Sequence, residues 1–156
     1  MVNTYVQRLF VHNVAFTTFV TVFLGSYDPE TRMLTYCNAG HNPPLLLAGS
    51  GKEGSAVHWL RPTAPAIGLV EGAQYGIATV SVKPGDLLVL YTDGVTEAID
   101  AAGEEFGDER LASVVERNAQ ASAGEILRAV RRELERHVGG RPLDDDTTIV
   151  IQKVMS

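Results

Sequence analysis

Two apolar runs that meet aspartates constrain the fold of this chain more than any other feature. Residues 87–91 lead into the pair Asp93-Gly94, and the triplet Asp144-Asp145-Asp146 directly precedes a second run at 147–151. If both runs are strands paired in one sheet, their aspartates meet at a single edge, where they repel each other unless a cation lies between them. Hard divalent cations such as Mg²⁺ or Mn²⁺ prefer these all-oxygen surroundings. The sequence therefore indicates part of a metal site for phosphoryl chemistry.

Composition favours one ordinary soluble domain. The 156 residues are 45% hydrophobic, which is enough for a real core. The net charge is −6 and no Lys/Arg run exceeds Arg131-Arg132, so nucleic-acid binding has little electrostatic support. Cys37 is the only cysteine, which excludes an internal disulfide and fits a reducing compartment. No apolar stretch reaches the roughly 18 to 20 residues of a membrane span, and no signal-peptide pattern is present, so a cytoplasmic protein without membrane contact is expected.

Strand signals come first along the chain. Residues 3–14 predict a mediocre amphipathic helix. Residues 16–27 are dominated by Phe, Val and Thr, and 19–24 within them predict a strand buried on both faces. Asp28 begins a turn sequence, and the region 61–72 is expected to be irregular. Further strands are predicted at 33–38, 45–47, 57–60, 75–82 and in the segment that ends at Asp93.

Helix signals follow the strands. Asp108 is expected to cap a helix with Leu111, Val114 and Val115 on one face. The segment 122–125 has the pattern of a capping box, which opens a second helix that ends at Gly139-Gly140. A last strand is predicted at 147–154. Strands first and helices later indicate an α+β fold with mostly antiparallel sheets.

Three other patterns favour structural roles. Residues 49–54 match G-x-G-x-x-G, but a strand rather than a helix is predicted to follow, which favours a flexible hairpin loop over a nucleotide-binding loop. A cysteine phosphatase requires an arginine six residues after its thiolate, and after Cys37 that position holds Pro43. The four histidines show no H-E-x-x-H pattern, which argues against a zinc site.

Three motifs have more than one interpretation. Residues 38–44 contain a Gly-His pair stopped by two prolines, which predicts a tight bend that is either a plain corner or the wall of a polar site. Asp93-Gly94 alone fits an ordinary turn as well as a metal ligand, and the triplet 144–146 alone fits a solvated loop. Their joint position beside apolar strands favours the metal interpretation.

Taken together, these motifs resemble the bacterial SpoIIE/RsbU-like branch of the metal-dependent Ser/Thr protein phosphatases (PPM, protein phosphatase 2C-like). The matches occur in the family's order and cover nearly the whole chain. They are FVTVF at 19–23, NAGHNPP at 38–44, PGD at 84–86, LYTDGVTEA at 90–98, FG at 106–107 and DDDT at 144–147.

The resemblance implies an α-β-β-α sandwich with a binuclear Mn²⁺ or Mg²⁺ centre at one end. It implies that Asp93 and Asp144 are the catalytic metal ligands. It also implies that four further residues surround the ligands without binding the metal themselves, namely Gly94, Asp145, His41 and Asn38. The implied chemistry is direct attack of a metal-activated water on phosphoserine or phosphothreonine, without a covalent enzyme intermediate.

The family's N-terminal strands, which carry a Gly-Asp acid that bridges both metals, have no match here. We therefore expect residues 1–156 to be one domain that forms the C-terminal portion of a full, N-terminally incomplete phosphatase domain. Missing strands should leave sheet edges unpaired and apolar surface exposed, so self-association is expected.

The expected substrate is a phosphorylated anti-anti-sigma-type protein in bacterial partner-switching signalling, such as stress or sporulation circuits. An upstream sensor domain is a further expected partner, and the isolated chain is expected to have weak or no activity. The alternative function is a non-catalytic, pseudophosphatase module that binds proteins in the same kind of circuit.

Overall fold

Seven strands and three helices form in the part of the chain that the computed structural model describes, residues 19–49, 55–143 and 145–155. The predicted helix at 3–14, the tip of the loop at 50–54 and Asp144 lie outside these ranges. The strands are β1 Val22–Asp28, β2 Met33–Ala39, β3 Leu45–Ala48, β4 Ala56–Trp59, β5 Ala78–Ser81, β6 Leu87–Tyr91 and β7 Ile149–Lys153. The helices are α1 Asp93–Thr96, α2 Gly107–Arg117 and α3 Ala123–Val138.

All strand pairs within the two sheets are antiparallel, which confirms the predicted α+β class. Contacts divide the chain into a first unit, residues 1–43 and 61–82, and a second unit, residues 44–60 and 83–156. The expectation of one domain over 1–156 stays a prediction. None of the helices in the described ranges combines the length and apolar character that a membrane crossing requires.

The first unit contains a sheet in the order β1-β2-β5. The turn between β1 and β2 forms as the sequence predicts, because the Asp28 carboxylate accepts hydrogen bonds from the Glu30 amide at 2.9 Å and the Thr31 hydroxyl at 2.8 Å. In the central strand β2, buried side chains alternate with half-buried ones, and Tyr36 stacks on Phe23 with 5.4 Å between ring centroids. The sheet is thus organised around β2.

Strand β1 differs from its prediction in position and burial. It begins at Val22 rather than residue 19, and Leu24 is 69% exposed. Within the described residues β1 pairs only with β2, so it lies at an edge of its sheet. Residues rich in Phe, Val and Thr favour an extended backbone, and that part of the prediction was correct. The same composition does not determine whether other elements pack on both faces of the strand, so the predicted burial was wrong.

The second unit contains a sheet in the order β4-β3-β6-β7 and the helices α1, α2 and α3. The central strands β3 and β6 are almost entirely buried, as their continuous apolar sequences predict. Helix α2 packs against α3, and α3 packs against β7. Their apolar faces share one core with the sheet, formed by residues that include Leu45, Val89, Leu111, Val115, Ile126 and Val130.

Helix α3 begins and ends as the sequence predicts. The Ser122 hydroxyl accepts from the Glu125 amide, and the Glu125 carboxylate accepts from the Ser122 amide, which completes the capping box. Gly139 ends the helix in the left-handed conformation with φ 64°.

Helix α2 begins earlier than the sequence predicts. Its N-cap is Phe106 rather than Asp108, and Asp108 lies within the first turn. The Asp108 carboxylate accepts instead from the Tyr91 hydroxyl at 2.7 Å. The cap prediction was wrong because the helix begins at Gly107, so Asp108 is already inside it.

Asp86 fixes the start of β6. Its side chain is 3% exposed and accepts from the Gly49 amide at 2.9 Å and the Lys83 amide at 2.7 Å. The buried carboxylate therefore joins the turn before β6 to the end of β3, which sets the position of the strand that leads to Asp93.

Candidate metal centre

The two apolar runs next to the acidic residues pair directly, which is the condition on which the predicted metal site depends. Strands β6 and β7 are antiparallel, in a register from Leu87 opposite Lys153 to Tyr91 opposite Ile149. One further ladder bond follows, from the Thr92 amide to the Thr148 carbonyl at 3.1 Å. The chain that leaves β6 and the chain that enters β7 therefore meet at one edge of the sheet.

Asp93 lies immediately beyond that ladder. The strand was expected to run to Asp93, but β6 ends at Tyr91 and Asp93 is the first residue of the single-turn helix α1. Its carbonyl accepts from the Glu97 amide at 2.8 Å, so the backbone turns sharply here. Its exposed carboxylate accepts from the Gly94 amide through Oδ1 at 3.0 Å. This bond orients the carboxylate and leaves oxygen lone pairs towards solvent.

Gly94 lets the two acidic segments approach each other. A Cβ atom on Gly94 would lie 2.6 Å from the carbonyl oxygen of Asp146 and 3.4 Å from the Cβ of Asp145. A side chain at this position would occupy the space taken by the facing backbone. The glycine after Asp93 is therefore required by close backbone approach, and its backbone N–H remains as a donor to Asp93.

Asp145 and Asp146 are both exposed beside Gly94. The Asp145 carboxylate accepts from the Asp146 amide at 2.7 Å, which shapes the turn before β7. The structure thus places Gly94, the residue after Asp93, directly against Asp145 and Asp146. Asp144 lies outside the described residues, so its meeting with Asp93 stays a prediction.

The donors present match a hard divalent cation in type. Asp93 and Asp145, which are both exposed, offer carboxylate oxygens on either side of the contact at Gly94. Among residues 19–49, 55–143 and 145–155, no three His, Cys, Asp or Glu side chains cluster closely enough to enclose an ion by themselves. Mg²⁺ commonly binds through one or two carboxylates and completes its shell with water and substrate phosphate, so these residues fit part of such a site.

Tyr91 supports the edge from inside, and sequence reasoning missed it. The side chain is 2% exposed, donates to Asp108 on α2 and contacts Trp59 edge-on at 6.4 Å between ring centroids. Burial, and then the hydrogen bond to the Asp108 carboxylate, raise the pKa of Tyr91. The tyrosine is therefore a neutral donor that connects β6 to α2 two residues before Asp93.

Asn38 and His41 lie together in the first unit. Asn38 is fully buried, its side-chain oxygen accepts from the His41 amide at 2.9 Å, and its carbonyl accepts from the Thr63 amide at 2.8 Å. Gly40 between them has φ 69°, and a Cβ there would lie 2.8 Å from the Ala66 amide nitrogen. Asn38 therefore stabilises the predicted bend itself.

The His41 ring lies near the surface of the same bend. Its Nδ1 is 3.3 Å from the Thr21 hydroxyl, and the residue is half-buried. The roles assigned to Asn38 and His41 beside a metal site stay predictions.

Comparison with known proteins agrees with the motifs. Residues 1–155 match the model of the family described as stage II sporulation protein E (SpoIIE). The chain is 36% identical over 132 residues to protein IcfG of Synechocystis, across 85% of this chain and 20% of IcfG. It is 26% identical over 148 residues to the phosphoserine phosphatase RsbU of Bacillus subtilis, across 94% of this chain and 43% of RsbU. The chain thus spans less than half the length of these relatives.

Solved structures share the fold. The SiaA-PP2C domain of Pseudomonas aeruginosa matches with a TM-score of 0.78 at 24% identity, across 97% of this chain and 58% of that domain. The phosphatase domain of the cell fate determinant SpoIIE from Bacillus subtilis, presoaked with manganese, matches with a TM-score of 0.65 at 18% identity, across 86% of this chain and 56% of that one. At these identities the likeness concerns the fold alone.

Proposed function

Because the chain belongs to the SpoIIE family, a branch of the PP2C-like protein serine/threonine phosphatases, we propose that it contributes the C-terminal portion of a domain that hydrolyses phosphoserine or phosphothreonine on a regulatory protein. The observation that carries the proposal is the packing of Gly94, next to Asp93, against the backbone of Asp146. This contact brings the chain next to Asp93 against Asp145 and Asp146, and a close approach of acidic segments supports a site for a divalent metal.

In this proposal Asp93 and Asp144 are the metal ligands, with Gly94 and Asp145 beside them. Mn²⁺ or Mg²⁺ bound there would supply an activated water and neutralise charge on the phosphoryl oxygens. Asp93 is held for this role by the Gly94 amide on one carboxylate oxygen. Two carboxylates provide fewer than the roughly six oxygen ligands that each ion takes, so water, substrate and further protein groups complete the site.

The proposed substrate is a phosphorylated anti-anti-sigma-type protein in a cytoplasmic partner-switching circuit, for example in a stress response. RsbU, a relative named as a phosphoserine phosphatase, supports the phosphoserine substrate class. Because the chain spans 20% of IcfG and 43% of RsbU, we propose that the active protein includes further segments, with a sensor domain among them.

The test is phosphate release from a phosphoserine protein by the polypeptide expressed from the complete reading frame that encodes this chain. We expect release to depend on added Mn²⁺ or Mg²⁺ and to stop in EDTA. Removing a group that only orients a metal ligand typically lowers activity roughly 10- to 100-fold. Because Asp93 is proposed to be a ligand itself, Asp93→Asn should reduce phosphate release by more than this. Glu109→Gln is the matched control, because Glu109 is an exposed acid in the first turn of α2.

Full activity in Asp93→Asn would overturn the assignment of this residue as a ligand. Calorimetry separates the enzyme from the alternative, a non-catalytic binding module. A protein that binds its phosphorylated partner equally well in EDTA and releases no phosphate with metal present would be such a module.

A further inference from the structure

Thr92 occupies an unusual position in the candidate metal centre. It is the N-cap of α1, with φ −92° and ψ 160°, and threonine at an N-cap commonly accepts a hydrogen bond from the first turn of its own helix. Here the side chain makes no cap bond. Its hydroxyl accepts instead from the Thr148 amide at 2.9 Å and donates to the Asp146 carbonyl at 3.2 Å.

The hydroxyl takes the place of a backbone carbonyl in the ladder. Tyr91 and Ile149 are the last pair of the ladder. Thr92 comes after Tyr91 and Thr148 comes before Ile149, and an antiparallel pair at these two positions would exchange two backbone hydrogen bonds. Only one of these, from the Thr92 amide to the Thr148 carbonyl, is present. The Thr92 carbonyl turns into α1 and accepts from the Val95 amide at 3.1 Å. The hydroxyl therefore satisfies the Thr148 amide that the carbonyl has left.

This exchange lets β6 turn into α1 without separating from the chain that carries the triplet 144–146. The same hydroxyl holds the Asp146 carbonyl, and that carbonyl also meets Gly94 on the other side of Asp93. The Asp146 carbonyl is thus bonded by the residue before Asp93 and lies close to the residue after it.

We propose that Thr92 is a positioning residue that sets the spacing between Asp93 and the facing chain at Asp145 and Asp146, so that acids of both segments can hold one divalent cation. The inference rests on the proposed function, since it assumes a cation at this edge. It assigns to the hydroxyl a role distinct from that of the ligands, because the oxygen is already committed to two backbone partners.

The test compares Thr92→Val, which keeps the shape and removes the hydroxyl, with Thr92→Ser, which keeps the hydroxyl. Both are made in the polypeptide from the complete reading frame, and Mn²⁺ affinity is measured by calorimetry well below the unfolding temperature of each variant. We expect Thr92→Val to weaken Mn²⁺ binding by roughly 10- to 100-fold, the usual cost of losing a group that orients ligands. Thr92→Ser should bind within about threefold of the parent protein, and Thr35→Val serves as a control for the same chemical change on β2.

A second readout is amide hydrogen exchange at Thr148 without metal, which should be faster in Thr92→Val and unchanged in Thr92→Ser. The inference would be overturned if folded Thr92→Val bound Mn²⁺ as tightly as the parent protein and Asp93→Asn did not bind it. A loss of affinity in Thr92→Ser as large as that in Asp93→Asn would also overturn it, even if Thr92→Val failed to fold. Unchanged affinity in Asp93→Asn would overturn the metal assignment itself.

Discussion

Gly94 is the residue at which the two acidic segments come closest. A Cβ there would lie 2.6 Å from the Asp146 carbonyl oxygen, which belongs to the backbone and cannot move aside as a flexible side chain can. The Asp-Gly pair is therefore more than a turn signal, because the glycine is required by a partner more than fifty positions away in the sequence.

We expect Gly94→Ala to lower the free energy of unfolding by about 1–3 kcal/mol, the usual cost of overpacking a close contact. Urea unfolding followed by circular dichroism measures the change. Gly124→Ala is the matched control, since a Cβ on Gly124 would meet only the end of the Arg128 side chain at 3.7 Å. It should be neutral or stabilising by up to about 1 kcal/mol, because alanine favours a helix. Equal unfolding midpoints for the parent protein and Gly94→Ala would contradict the close contact.

At the scale of elements, local signals predicted most of the secondary structure. The capping box at Ser122 and the left-handed Gly139 follow from patterns within a few residues. The hydrogen bond between Tyr91 and Asp108 was not predicted, because the two residues lie on different elements and their contact depends on how α2 packs. The role of the Thr92 hydroxyl was not predicted for the same reason, since its partners Asp146 and Thr148 lie in the segment before β7.

The connection between β6 and α2 predicts a pH dependence. The pKa of Tyr91 is raised in the folded protein above the value of roughly 10 of an exposed tyrosine. The neutral phenol therefore stabilises the fold fully below about pH 10, and this contribution is lost as the pH rises above that value, because the unfolded chain ionises first. The loss is at most about 1.4 kcal/mol per pH unit.

Urea unfolding at a series of alkaline pH values measures this effect. The free energy of unfolding should fall less steeply above about pH 10 in Tyr91→Phe than in the parent protein. Tyr27→Phe removes a phenol that is 42% exposed and is the control. Because Tyr75 also has a raised pKa from burial, only the difference between the parent and Tyr91→Phe reports on Tyr91. Identical slopes in the two proteins would show that Tyr91 ionises equally in both states.

At the scale of the whole molecule, exposed apolar side chains are concentrated in the first unit. Leu24 is 69% exposed on the edge strand β1, and Ile77 is 73% exposed just before β5. The other exposed large apolar residues of this unit are Phe19, Val20, Tyr27, Leu69 and Val70. An exposed edge strand with apolar side chains is a template for pairing with another chain. Self-association stays a prediction, and these exposed side chains are where we expect it to occur.

We expect this chain to form dimers or larger species as its concentration rises, which sedimentation or light scattering measures. Leu24→Lys should weaken association at least about tenfold, because burial of a leucine contributes about 1.5–3 kcal/mol and a charged edge strand opposes pairing. Ala101→Lys adds the same charge in an exposed loop of the second unit and should leave association unchanged. A parent chain that stayed monomeric at high concentration would contradict the prediction. Association that persisted in Leu24→Lys would exclude β1 as the surface involved.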